Sequence, residues 1–483
     1  MKSAILGQAY VARSVNAADN RLINLYPEAT PEGGKENGFL TRAPGLRALV
    51  TVGLGPIRGL WSYNSIGYVV SGTELYSLTT AWVATLIGTI AGTGPVSMTD
   101  NGYMLCIVAN PKMYTYNGVA LTEVTDANFV GAATVDFVDG FFIFNEPDTQ
   151  RLWSVSTINP ATGSAIDPLV FSSLDFSTAD GSPDLVIAVK ANHRELWVFG
   201  TKTVEVWYNA GLSNFPLTRI QGAFNEIGCA AVNSVAKMDN AMFWVGSDDR
   251  GKGIVYKAQG YSGQRISTHA IEFAIQGYAD ISDAVAFTYQ QEGHSFYVLN
   301  FPSANASWTF DVASGAWHER AYFNAGEFHR YRPNSQLNFS NEIVVGDFED
   351  GNLYALDLDE YADQGSNIQK WLRSWRALPP GQNNLKRTSQ HSLQLDCESG
   401  VGLNSGQGSD PQVMLRWSDD GGHTWSNEHW AGMGKIGQYY KRVIWRRLGM
   451  TDKLRDRVYE ISGTDPVKIA IMGAELFVTP TNA

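Results

Sequence analysis

The chain has 483 residues and a formal net charge of −12, so its general surface repels nucleic acid and excludes tight phosphate binding over the whole protein. It is 44% hydrophobic and 17% charged, with 48 Gly, 14 Trp and 21 Tyr, a mixture that suits short strands and many turns. Cys106, Cys229 and Cys397 show no CxxC spacing and sit in or beside apolar runs, so they read as reduced, buried thiols.

Residues 1–48 predict an extended N-terminal arm, with little periodicity and several breakers. It contains Asn24-Leu25-Tyr26-Pro27-Glu28, a polar Gly-rich link at 31–37, and Thr41-Arg42-Ala43-Pro44-Gly45-Leu46. No secretory leader and no membrane-length apolar window is seen, which predicts synthesis in the cytoplasm, no membrane insertion, and unmodified sequons at Asn305 and Asn338. An arm that does not fold on itself finds its hydrogen-bond partners on a neighbour, within the chain or on another subunit. Asn24, Tyr26, Pro27, Pro44 and Gly45 are its candidate interface residues.

From residue 49 to 365 one unit recurs: an apolar run, a polar turn, and a second run with an aromatic near its middle. Its seven copies lie at Gly67–Leu78, Gly102–Tyr116, Gly140–Val155, His193–Tyr208, Asn240–Tyr256, Gly293–Asp311 and Asn341–Asp357. Successive copies begin 35 to 53 residues apart, close to the blade length of propellers. The expectation is an all-β chain built on a β-propeller of six or seven blades; a generic β-sandwich is the plainer alternative. The connections Ile158–Asp184 and Ala210–Asn225 exceed hairpin length, which marks them as contact loops. Asp347, Glu349, Asp350 and Asp357 lack the ligand spacing of a calcium loop and read as turn residues.

Residues 366–385 predict a linker or docking segment: aromatic and basic residues from Gln369 to Arg376, then Pro379-Pro380-Gly381. Residues 386–483 alternate again and predict a C-terminal β-sandwich-like domain, with strands at His391–Cys397, Val413–Ser418, Tyr439–Arg447, Arg457–Ser462, Val467–Ile471 and Glu475–Val478. Within it, Ser418, Asp420, Gly422, Thr424 and Trp425 fit S-x-D-x-G-x-T-W, which resembles the Asp-box hairpin of sialidases and other propellers. Asp420 is expected to accept backbone N–H bonds across the turn, Gly422 to supply an unusual φ, and Trp425 to cover the hairpin. A box of this kind is a folding device rather than a catalytic one.

A sialidase would need clustered arginines, a Tyr–Glu pair and an Asp acid; the arginines at 58, 151, 194, 219, 265, 320 and 330 are scattered instead. Histidines lack metal-ligand spacing, and no GxSxG, P-loop or dinucleotide fingerprint is present. The expectation is no enzyme, no metal and no cofactor. Eight basic residues fall between Lys435 and Arg457, namely Lys435, Lys441, Arg442, Arg446, Arg447, Lys453, Arg455 and Arg457. Lys441, Arg442, Arg446 and Arg447 are candidates to meet an acidic partner; a solvated strand edge guarded by charge is the plainer reading.

Three features together carry a family resemblance: the early NLYPE followed by PGL, the Ser418-Asp419-Asp420-Gly421 turn, and the string Tyr440-Lys441-Arg442-Val443-Ile444-Trp445-Arg446-Arg447 followed by Asp465-Pro466-Val467. The chain resembles the tail hub or nozzle proteins of short-tailed bacteriophages, also called packaged-DNA stabilisation proteins. The resemblance implies a structural virion protein of the tail, made in the host cytoplasm. It implies a homo-oligomeric ring, expected to be a hexamer, below a portal-adaptor protein. That ring would extend the DNA channel, help retain packaged DNA, and hold a tailspike or tail fibre and a tail needle or plug. Double-stranded DNA would pass without sequence specificity. Two other readings remain at this point: a glycan- or receptor-binding propeller of the virion, and a sialidase-like glycosidase.

Overall fold

The structure, a computed structural model, describes every residue except 16, 33, 160, 249–250, 366, 380–386, 453–456 and 482–483. Each of the seven repeats is the central hairpin of one antiparallel sheet. Blade 1 holds Ile57–Tyr63, Ile66–Ser71, Glu74–Leu78 and Ala84–Thr89, and blade 2 runs from Ser97–Asp100 to Leu121–Glu123. Blades 3 and 4 begin at Val135–Val138 and Val186–Asn192; blade 5 shares its first position between Gly228–Cys229 and Ala236–Met238. Blade 6 begins at Val285–Gln291 and blade 7 at Pro333–Phe339.

The second strand of each blade is an apolar run rather than an alternation because both of its faces are covered. Leu105–Ala109, buried at every position, is the clearest case. Hydrophobic clusters join blades 1 and 2, 2 and 3, 3 and 4, 4 and 5, 5 and 6, 6 and 7, and 7 back to 1, so the sheets close into a ring. Around the axis, residues of all seven blades line a cavity of about 660 Å³. One helix, His269–Gln276, sits between blades 5 and 6; Thr268 caps it, its hydroxyl accepting from the Ile271 N–H. The sequence reading did not include this helix.

The ring is closed by the N-terminal segment. Strand Gly45–Thr51 is the outer strand of blade 7, paired from Asp357↔Gly45 to Asn352↔Thr51, so the propeller starts before residue 49. Arg47 fastens the seam with ion pairs to Glu342 and Asp357, both at 2.7 Å. Upstream of it, Leu22–Ile23 pairs with blade 6 at Glu319 on one side and with Trp371–Arg376 on the other. Through this two-residue strand the sheet of blade 6 runs on into Trp371–Arg376, Val458–Gly463, Gln412–Ser418 and His429–Gly432.

A six-stranded sheet faces it, ordered Val443–Arg446, Thr388–Cys397, Ala470–Pro480, Gly38–Arg42 and Leu25–Ala29, with Lys2–Ser3 on Ala470–Pro480. The two sheets make the expected β-sandwich, but four of its described strands come from the N-terminus: Lys2–Ser3, Leu22–Ile23, Leu25–Ala29 and Gly38–Arg42. Trp371–Arg376, expected in a linker, is a buried central strand of it, and the Pro380–Leu385 part of that linker lies outside the described residues. Val467–Ile471 and Glu475–Val478 contribute to one strand, Ala470–Pro480.

Candidate functional site

Asn24, Tyr26, Pro27, Pro44 and Gly45, the candidate interface residues of the arm, find partners within their own chain. Asn24 is buried in the left-handed region (φ 53); its Nδ2 donates to the carbonyls of Ala321 and Lys370, both at 2.8 Å, and its Oδ1 accepts from the Ala321 N–H at 3.0 Å. Buried Tyr26 stands edge-on to His294 and Phe296, with centroids 5.2 Å away in each case. Pro27, partly buried, pairs with Leu40. The Pro44 carbonyl accepts from Gln369 Nε2 at 3.0 Å. Gly45 passes so close to the carbonyls of Glu360 and Ala362 that a Cβ would lie 2.5 Å from each oxygen. Four of the five are buried and Pro27 is partly exposed; the segment pairs partly with itself, Leu25–Ala29 against Gly38–Arg42, and completes its remaining hydrogen bonds on other parts of its own chain.

The same segment supplies a residue that sequence reasoning missed. Arg42 is buried, and its guanidinium donates to the carbonyls of Asp465 (2.8 Å), Val467 (2.9 Å), Tyr361 (2.8 Å) and Gln369 (2.5 Å) and to Gln369 Oε1 (3.0 Å). Burial lowers its pKa to about 10. A signal existed: Gly38, Leu40 and Arg42 share the inward face at period two.

Nearby, Asp363 is buried, with Oδ1 accepting from Gln369 Nε2 at 3.3 Å and Oδ2 without a partner among the described residues. Burial pushes its carboxyl up to about 7, against the pull of Arg42. An acid that keeps its proton longer when folded makes the folded state bind more protons between the unfolded pKa, near 3.9, and about 7. Stability is therefore expected to fall as pH rises through that window. Asp363→Asn should flatten the pH profile of the thermal midpoint and raise the midpoint at pH 8; an unchanged profile would remove Asp363 as its source.

The Asp-box is formed. Asp420 Oδ1 accepts from the N–H groups of His423 and Thr424 at 2.9 Å and from Ser418 Oγ at 2.6 Å, and Oδ2 accepts from Thr424 Oγ1 at 2.6 Å. These bonds hold the Asp420 carboxyl far below the usual range. Gly422 has φ 104, and a Cβ there would meet Asp19 Oδ2 at 2.5 Å. Trp425 departs from expectation: it is only partly buried and lies under the Arg416 guanidinium, 4.7 Å from the ring centroid. Trp425→Ala is thus expected to cost about 1–2 kcal/mol in thermal unfolding, from one cation–π contact and partial burial. A loss of roughly 3–5 kcal/mol, the cost of deleting a fully buried aromatic, would contradict that placement.

The basic string forms a shorter strand than expected, Val443–Arg446, at the free edge of the six-stranded sheet. Val443 and Trp445 point inward; Lys441, Arg442, Arg446 and Arg447 are exposed, and Arg442 donates to Gln394. Among the described residues none of the four has an ion pair. Arg457 leaves the group: it is buried and paired with Asp419 at 2.6 Å, over the ring of Trp417. Lys453 and Arg455 lie outside the described residues.

Elsewhere charge is used internally. Arg58, beside the axial cavity, donates to the carbonyls of Gly94, Gly72 and Ala91. The carboxylates of Asp347, Glu349 and Asp350 converge on Arg332. Among the described residues no group of three or more His, Cys, Asp or Glu is placed to hold a metal ion, and no helix is long and apolar enough to cross a membrane.

Comparison with known proteins matches this architecture in two parts. A family model described as bacteriophage P22 Gp10, beta-propeller, matches residues 4–361, and one described as bacteriophage P22 Gp10, beta-sandwich, matches residues 371–479. No curated protein sequence matches the chain. Among solved structures, the Neurospora crassa Pan2 WD40 domain is 9% identical, with a TM-score of 0.38, over 62% of this chain and 89% of its own. The Myceliophthora thermophila Cps50 (Swd1) β-propeller domain is 8% identical, with a TM-score of 0.40, over 64% of this chain and 99% of its own. BamB from Moraxella catarrhalis is 10% identical, with a TM-score of 0.35, over 69% and 94%. Likeness this remote carries no weight for function.

Proposed function

The chain belongs to the bacteriophage P22 Gp10 family of phage stabilisation and tail proteins, a structural family of the virion, and from that premise we propose that it is the hub, or nozzle, of a short phage tail. In this reading several copies, six by resemblance, form a ring below a portal-adaptor protein. The ring extends the DNA channel, helps retain packaged DNA, and holds tailspikes or fibres on its flank and a needle or plug at its lower end. It performs no catalysis.

The observation that supports a ring of copies is the size of the axial cavity. At about 660 Å³, it has the size of a small-molecule pocket, far less than the space taken by a duplex whose major groove by itself admits an α-helix. A conduit for DNA therefore has to lie between copies, not through one propeller. The chain's charge of −12 suits such a conduit, since tight phosphate contacts would stall ejection.

The test uses Arg446→Glu with Arg447→Glu, which changes two exposed side chains at the sheet edge. The double variant is expected to be soluble and folded but defective in joining tails, and particles assembled with it should lose packaged DNA. Imaging of particles and measurement of their DNA content read the outcome. Normal tails carrying the variant at full occupancy, at low and high salt, would leave this edge merely solvated. Particles that keep their tails and their DNA without the protein would refute the hub reading itself.

A further inference from the structure

The open edge of the sandwich carries a surface that no other described residue covers. His429–Gly432 ends the nine-stranded sheet, Val443–Arg446 ends the six-stranded one, and these two edge strands pack against each other. The connection between them forms an exposed lip: Tyr439 is 75% exposed and Tyr440 83%, beside Ile436, Lys441 and Arg442, with Trp430 at 58% on the adjoining strand. Charge alone would protect a sheet edge from pairing. Exposed tyrosine, tryptophan and isoleucine add nothing to that protection, whereas Tyr, Trp and Arg dominate the energetic centres of protein interfaces.

A surface of opposite character lies on blades 2 and 3. Between Asn117 and Asp184 the sequence has ten carboxylates and one basic residue, Arg151. Asp136 and Asp184 are buried, and Glu123, Asp139, Glu146 and Asp180 pair with Lys112, Arg194, Arg151 and Arg219, which leaves Asp126, Asp148, Asp167 and Asp175 without an ion pair among the described residues. The long loop before strand Phe176–Thr178 folds over the rim of blade 2: Asn117 Nδ2 donates to Asp167 Oδ2 at 2.6 Å, and Asp126 Oδ2 accepts from the Phe171 N–H at 3.3 Å. On this acidic flank Val119 is 90% exposed and Val170 68%, with Leu174 beside them. The asymmetry extends to the whole chain: residues 1–370 carry 22 Lys/Arg and 37 Asp/Glu, and the remainder 14 and 11.

We propose that the Trp430–Arg442 lip of one copy seats on the acidic, apolar flank of blades 2 and 3 of the next copy. The proposal rests on the ring reading above and names the contact that makes the ring. The sandwich is continuous with blade 6, while blade 3 lies three positions away around the propeller, so a chain cannot fill its own site. Two different patches meeting head to tail form a heterologous contact, the kind that generates a ring when its rotation closes. Opposite charge steers the approach, and the exposed aromatic and aliphatic side chains supply the buried area.

Sedimentation velocity of the full chain tests this at low salt with two reversals, Lys441→Glu/Arg442→Glu on the lip and Asp167→Lys/Asp180→Lys on the flank. Each alone is expected to weaken self-association at least tenfold, and both in one chain to restore it. Tyr440→Ala, at a side chain too exposed to matter for folding, should weaken association as well. If the wild type associates and neither reversal affects it, this contact is overturned while the ring reading stands. If lip reversal weakens association and the combined reversal fails to restore it, the flank is not the seat. Binding of a short DNA duplex that depends on Lys441 and Arg442 would reassign the lip to nucleic acid. A wild type that stays monomeric at every concentration would overturn the contact and the ring together.

Discussion

Deleting residues 1–24 is expected to leave the protein insoluble or partly unfolded, not a folded propeller lacking a docking arm. The deletion removes Leu22 and Ile23, both completely buried, and with them the strand that joins blade 6 to Trp371–Arg376. It also removes Ile5, whose carbonyl accepts from Arg373 Nε at 2.7 Å, and Ser3, whose hydroxyl accepts from Trp375 Nε1 at 2.8 Å and donates to the Ala377 carbonyl at 2.7 Å. Losing a buried Leu or Ile side chain costs about 2–5 kcal/mol, so three of them approach the roughly 5–15 kcal/mol that holds a typical domain together. Buried Arg373 would keep its charge and lose its main acceptor. Soluble yield, thermal unfolding and limited proteolysis check this. A soluble deletion variant with an unchanged midpoint would show that the segment is dispensable to the fold.

The second large effect is expected at Arg42. Four backbone carbonyls drawn from the propeller end (Tyr361), the connecting segment (Gln369) and the sandwich (Asp465, Val467) point at one guanidinium. Arg42→Met keeps much of the side-chain volume but strands all four acceptors in a buried site. A buried acceptor left unsatisfied costs about 1–3 kcal/mol, so with four of them the variant should lose at least about 3–5 kcal/mol in chemical denaturation. The loss should first appear as a cleavable junction between residues 361 and 371, because that is where the carbonyls are released. Arg42→Lys should recover only part of the stability, since an ammonium group cannot reach four carbonyls in a planar fork. A full recovery by Lys would show that charge alone, without the fork, holds the junction.

What the sequence by itself determined is the part of the fold whose causes are local. All seven central hairpins were legible, because a strand covered on both faces must be a continuous apolar run, and a turn between two such runs must carry Gly or polar residues. The Asp-box was legible for the same reason: its bonds join residues two to four apart, from Ser418 to Thr424. Outer strands such as Ala84–Thr89, half in solvent, have almost no such pattern.

Only the tertiary structure decided where the N-terminal segment goes. Leu22–Ile23 is a strand solely because Glu319 and Arg373 offer it two free edges, and Gly45–Thr51 belongs to blade 7 because the last blade lacked a fourth strand. The hydrogen bonds that stabilise these pieces are made with residues some three hundred positions away, so no window of sequence contains both halves of the reason. The same holds for the lip and the acidic flank. Exposure of Tyr439, Tyr440 and Val119 follows from which strands end the two sheets and which loop overlies blade 2, and composition records only that such residues exist.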